Sequence, residues 1–187
     1  TVAAGSASAT FTVTTIPVSA ADTVTITALY SGVTRTATLT LNPPALTTLT
    51  LSPASLAGGN PSIGTVTLDS PALAGGAVVN LSENSTATTV PASVTVPAGA
   101  TSATFTVTTT GVTATTTSTI TATRNGVTRT ATLTINPAQV ASLTLSPTSV
   151  VGGVANSTAT VTLDGPATGN TGQRTVTLSS SNTAAAT

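Results

Sequence analysis

Residues 116–137 read TTSTITATRNGVTRTATLTINP. Apolar and hydroxyl residues alternate on both sides of Asn125-Gly126: Ile120 and Ala122 before it, Val127, Ala131, Leu133 and Ile135 after it. A period of two places one set of side chains on one face of a strand, so each arm predicts a strand with one buried and one solvated face. Asn and Gly tolerate the positive φ that both central residues of a two-residue type I′ hairpin turn require. The stretch therefore predicts an antiparallel hairpin, about 116–124 with 127–135.

The same hairpin is written a second time. GVTRTATLTLNP fills residues 32–43, with Ser31 and Gly32 at the turn, against GVTRTATLTINP at 126–137. ATFTVTT at 9–15 returns at 103–109, and LTLSP at 49–53 returns at 143–147, each 94 positions on. One unit the size of a small domain is thus written about twice. Turn residues separate the alternating runs: Pro53, Gly58 and Gly59, Gly75 and Gly76, Pro91, Pro97, Gly99 and Gly111. In the fully covered unit the runs predict strands at about 47–52, 63–69, 77–82, 86–96 with a break at Pro91, 101–109, 116–124 and 127–135. About seven short antiparallel strands in such a length predict an all-β immunoglobulin-like antiparallel β-sandwich. Its core is expected to gather Leu49, Leu51, Val66, Leu68, Leu81, Val96, Phe105, Val107, Ile120 and Leu133, with Phe11 in the place of Phe105 in the earlier copy.

Composition narrows the function. The 187 residues contain no Cys, Met, Trp, His or Lys, and only 4% are charged, with zero formal net charge. Thiol and imidazole chemistry is absent, and carboxylates are few, so an enzyme is not expected and no cofactor is implied. The charge needed to hold nucleic acid or an anionic membrane surface is missing as well. No apolar run approaches the ~20 residues of a membrane span. Low charge alone would suggest disorder, but 39% hydrophobic residues, many of them β-branched, predict an ordered chain.

SLTLSPTSVVGG, TVTLDGPA, VPASVTVPAGATSATFTVTT and GVTRTATLTINP together resemble the bacterial immunoglobulin-like repeats that occur in tandem in large extracellular and cell-surface proteins. The resemblance covers essentially the whole chain. It implies an extracellular or surface location and a role as stalk, spacer or filament. Without Lys, the isopeptide crosslink of some relatives is excluded, and an acidic cluster for interdomain calcium is missing too.

Aligned on the repeat, residues 1–43 hold the last three strands of one unit, 44–138 a complete unit and 139–187 the first strands of a third. A half sandwich exposes its core face and an unpaired edge. Two completions are expected: a longer continuous array, or pairing of 139–187 of one molecule with 1–43 of the next by strand complementation. Both make adjacent copies of the unit head-to-tail partners in a linear fibre. The links Asn42–Leu46 and Asn136–Val140 are short and carry prolines, which favours a stiff rod. Lateral association of weakly charged edges is a further expectation.

Few side chains offer chemistry. Asp69 and Glu83 are the acidic pair of the complete unit, and their strands predict opposite ends of the sandwich, too far apart for a carboxylate dyad. Asp69 and Arg129 are expected to pair at one rim, and Asp164 to meet Arg35 of a neighbouring segment in the same way, each pair contributing ~0–1 kcal/mol. Asn80, Asn84 and Asn156 fall in Asn-X-Ser/Thr sequons and are candidates for glycosylation. The alternative to a structural role is an adhesin or carbohydrate-binding module, for which Tyr30 is the available aromatic platform.

Overall fold

The computed structural model describes residues 1–167 and 175–183, so part of the third segment, 168–174 and 184–187, lies outside the described residues. The described chain is all-β. Its strands are β1 (Asp22–Tyr30), β2 (Val33–Leu41), β3 (Leu46–Ser52), β4 (Ser55–Ala57), β5 (Ser62–Leu68), β6 (Ala77–Glu83), β7 (Thr88–Thr89), β8 (Ser93–Val96), β9 (Ser102–Thr109), β10 (Thr116–Arg124), β11 (Val127–Asn136), β12 (Val140–Ser146) and β13 (Thr158–Leu163).

Strands β3 to β11 build one immunoglobulin-like sandwich. A four-stranded sheet in the order β3-β5-β9-β7 faces a five-stranded sheet in the order β4-β11-β10-β6-β8. All pairs are antiparallel except β4 with β11, which is parallel. Alternation becomes burial: in β5, Val66 and Leu68 point inward while Ile63 is exposed. Leu49, Leu81, Val96, Phe105, Val107, Ile120 and Leu133 share the buried core, and Leu51 packs against it half-buried. Three hydroxyl residues are buried here, Ser62, Thr88 and Ser118, and each has a partner: Thr88 on β7 and Ser118 on β10 share a 2.6 Å hydrogen bond across the sheets, Thr88 donates to the Ser85 carbonyl at 3.1 Å, and Ser62 donates to the Pro53 carbonyl. No buried side-chain polar atom lacks a partner among the described residues.

Two local details depart from the sequence reading. The run 86–96 is two strands, with β7 paired to β9 in one sheet and β8 to β6 in the other. Pro91 lacks an N–H for either ladder, so the chain crosses between sheets there. The short parallel strand β4 also appears, between Pro53 and Gly58, too brief to show a period.

The flanking segments are hairpins attached to this sandwich. β1 pairs with β2 from Asp22↔Leu41 to Tyr30↔Val33, the register of β10 with β11 from Thr116↔Ile135 to Arg124↔Val127. Both turns have left-handed central residues: Ser31 and Gly32 at φ 48° and 76°, Asn125 and Gly126 at 47° and 79°. β12 pairs with β13 as β3 pairs with β5, with a register irregularity at the same place near the first residues. Ser157 repeats the bond of Ser62: each hydroxyl donates to the carbonyl of the preceding Pro147 or Pro53, at 2.6 and 2.7 Å.

Phe11 corrects the core reading. It is 75% exposed where Phe105 is 7% exposed, because residues 8–15 form no strand and no opposing sheet covers the ring.

Candidate functional site: the joints at the two poles

Strand direction defines two poles of the sandwich. β3 starts beside the end of β5, Leu46 opposite Leu68, and ends at Ser52 opposite Ile63, about 20 Å away at ~3.3 Å per residue. The N-terminal hairpin joins at the first pole through Asn42–Ala45. The C-terminal hairpin leaves at the other pole, after Asn136.

At the first pole Asp69 clamps the incoming linker. The Ala45 N–H donates to Asp69 Oδ1 at 2.9 Å, and the Asp69 N–H donates back to the Ala45 carbonyl at 3.0 Å. Ser70 Oγ donates to the same carboxylate oxygen at 2.9 Å. The bond from the Ala45 N–H, helped by Ser70, holds the Asp69 carboxyl below its ordinary value of 3.8. Arg124 adds a second hold on the linker: its Nε donates to the Pro44 carbonyl at 3.3 Å, while its Nη1 donates to the Val78 carbonyl at 3.1 Å. Pro44 and Leu46 are buried beneath these contacts. The neighbouring turn, Ser70, Pro71 and Leu73, faces Thr15–Val18 and Thr40–Asn42 across an open groove of about 480 Å³.

The second pole repeats the clamp. The Gln139 N–H donates to Asp164 Oδ1 at 2.7 Å and the Asp164 N–H donates to the Gln139 carbonyl at 3.0 Å. Here the adjoining turn is also seated. Thr109 pins the loop Ala57–Asn60 by accepting from the Gly59 N–H at 2.9 Å and donating to the Asn60 carbonyl at 2.6 Å. Asn60 Nδ2 then donates to the Asp164 carbonyl at 2.9 Å. Pro166 rests on Gly59, so closely that a Cβ there would lie 2.1 Å from Pro166 Cγ, and Gly59 has a φ of +92°. Both facts select glycine.

The Asp69–Arg129 rim pair of the sequence reading is corrected by this geometry; the Asp164–Arg35 pair is expected across two segments and has no counterpart within one chain. Asp69 is engaged by main-chain and Ser70 donors, while Arg129 Nε donates to the Thr47 carbonyl at 2.6 Å and its Nη1 to the Thr128 carbonyl at 2.9 Å. The carboxylate sits between β3 and β5 of one sheet, and its neighbouring N–H is nearer than a guanidinium from the other sheet. Asp164 is clamped to Gln139 likewise, and Arg35 Nη1 donates to the Thr34 carbonyl at 3.1 Å. Arg124 carried no sequence signal, since Tyr30 holds the matching place in the other copy. Tyr30 itself is 84% exposed at its hairpin tip. Asp69 follows the end of β5 and Glu83 ends β6, strands of different sheets.

Among the sequon residues, Asn80 lies inside β6, paired on both sides with Ser93 and Thr123, and is exposed. Asn84 is exposed, and its Oδ1 accepts from the Thr119 N–H at 2.8 Å. Asn156 is exposed in the turn before β13.

No family model matches this chain, and no curated protein matches it. Solved structures do. It is similar to the D00-D0 domain of intimin at 15% identity, over 62% of this chain and 65% of that one, with a TM-score of 0.37. It is similar to domains 4 and 5 of the S-layer protein SbsC at 22% identity, over 62% and 57% of the two chains, TM-score 0.33. Against SbsC domains 1–6 the identity is 22%, over 66% of this chain and 18% of that one, TM-score 0.35. The matched part of this chain thus spans less than two thirds of each of these chains.

Proposed function

We propose that the chain is a structural protein, an extracellular or cell-surface stalk or filament of tandem immunoglobulin-like repeats, with 1–43, 44–138 and 139–187 as consecutive pieces of its units. The supporting observation is the aspartate clamp, made by Asp69 on Ala45 and again by Asp164 on Gln139. The clamp fixes the path of each unit's entry linker, and the bond from Asn60 to the Asp164 carbonyl, with Pro166 on Gly59, seats the third unit on the central one. Repeated at every joint, these contacts make a stiff line of units, each advancing the line by roughly 30–45 Å with strands of ~3.3 Å per residue plus loops. The clamp acts on main-chain atoms, so it tolerates changes in the linker residues, as Ala45 and Gln139 illustrate.

Residual dipolar couplings test the stiffness. A single alignment tensor is expected to fit the amides of β1–β2, of the central sandwich and of β12–β13 at dilution. Separate, weaker tensors for the hairpins would overturn the reading of a rigid line.

A further inference from the structure

The two terminal hairpins expose faces that the central sandwich buries. On β12, Leu143 is 58% exposed, whereas Leu49, its counterpart on β3, is 7% exposed. Val161 and Leu163 of β13 are half-buried where Val66 and Leu68 of β5 are buried. At the other end of the chain Ile26, Leu39 and Leu41 are half-buried, whereas their counterparts Ile120, Leu133 and Ile135 are fully buried.

These open faces match each other. In the sandwich, β5 pairs with β9, Val66 opposite Ala103 and Gly64 opposite Phe105. The counterpart of β5 is β13, and the counterpart of β9 is residues 8–15, which carry the same ATFTVTT yet form no strand. Likewise β4 exists by pairing with Thr134–Asn136 of β11, and its counterpart, residues 149–151, forms no strand. The counterpart of Thr134–Asn136 is Thr40–Asn42. Each unformed element thus has its complement in the opposite terminal hairpin.

We infer that β12–β13 of one copy closes over residues 8–15 and β1–β2 of a second copy, so that the counterparts of β3, β4, β5, β9, β10 and β11 come together on the pattern of the central sandwich. The hairpins leave the central sandwich at opposite poles, so a single molecule does not close on itself. The contact is head-to-tail and open-ended, and it generates a linear polymer. In the joined sandwich Val161 lies opposite Ala9, residues 149–151 pair in parallel with 40–42, and Arg35 reaches the Ala141 carbonyl as Arg129 reaches Thr47. This deepens the reading of a linear structural array and rests on it, naming a second copy as the partner.

One position fits less well, and it supplies the test. A Cβ at Gly64 would lie 2.2 Å from the Phe105 ring. In β13 that place is Ala159, as the pairing of Leu145 with Ala159 and of Leu51 with Gly64 shows. The Phe11 ring must tilt to clear the Ala159 methyl, an overpacking that weakens association. Ala159→Gly removes it.

Sedimentation velocity of the 187-residue chain over a concentration series, with negative-stain images of the same samples, reads the outcome. Polymers that lengthen with concentration are expected. Ala159→Gly is expected to move the association midpoint to a concentration roughly 5- to 100-fold lower. Leu143→Asp blocks one end and Ile26→Asp the other, neither touching the central core. Each is expected to stop growth alone, and an equimolar mixture to halt at dimers. A wild-type chain that stays monomeric, polymers indifferent to Leu143→Asp, or a midpoint unmoved by Ala159→Gly would overturn the proposal. A monomeric chain with one alignment tensor would sink this inference while leaving the stiff array intact.

Discussion

ATFTVTT occurs at 103–109 and at 9–15, with identical letters and opposite fates. In the first place it lies within β9, paired with β5 and β7, with Phe105 and Val107 in the core. In the second it forms no strand and its Phe is exposed. The heptapeptide's alternation and β-propensity are the same, so neither makes the strand. What differs is supply: β5 offers a ladder edge and the five-stranded sheet offers an apolar floor. The two hairpins teach the converse. β1–β2 keeps the full register of β10–β11 without any opposing sheet, because a two-residue turn with left-handed central residues and adjacent arms needs only local contacts.

The largest expected effect separates the two phenylalanines. Phe105→Ala is expected to destabilise the central sandwich by about 3–5 kcal/mol in urea denaturation. Phe11→Ala at dilution is expected to change it by no more than about 0.5 kcal/mol. Equal effects would mean that Phe11 is as well covered as Phe105. Next, Gly64→Ala thrusts a methyl into the Phe105 ring and is expected to cost about 1–3 kcal/mol, relieved in part by Phe105→Leu in a double-mutant cycle.

Gly59→Ala meets both a positive φ and Pro166, so about 1 kcal/mol of strain falls on the second joint. The measurable sign is a drop in the dipolar couplings of β12–β13, with those of β1–β2 unchanged. The smallest effect is acid loosening of the first joint. The folded-state pKa of Asp69 lies below its ordinary 3.8, so its contribution is complete above about pH 4 and is lost as pH falls through the depressed value. Asp69→Asn is expected to flatten that part of the pH profile in the couplings of β1–β2.

What could be read from the residues divides along the same line. The hairpins at 116–135 and 22–41, the repeat and most of the core were legible, because period-two alternation and Asn-Gly or Ser-Gly turns are local signals. The strand β4 was not, since three residues show no period and the pairing is to a strand some eighty positions away. The splitting of 86–96 was visible only as a break at Pro91, with the change of sheet hidden. Asp69 was legible as a rim residue at the right end, but its partner was sought among charges when the nearest donor was a backbone N–H. Arg124 and Gly59 act across a joint, a contact that no repeat pattern within one unit encodes.

Hydrogen exchange followed residue by residue by NMR in dilute solution separates the two copies of ATFTVTT. The alternate amides of Thr104–Val107 that donate to β5 are expected to exchange only with global unfolding of the sandwich, while all of those of Thr10–Val13 exchange near the rate of an unstructured chain. Equal protection of the two copies in a monomeric sample would contradict the claim that this sequence becomes a strand only when its partner strand and opposing sheet are supplied.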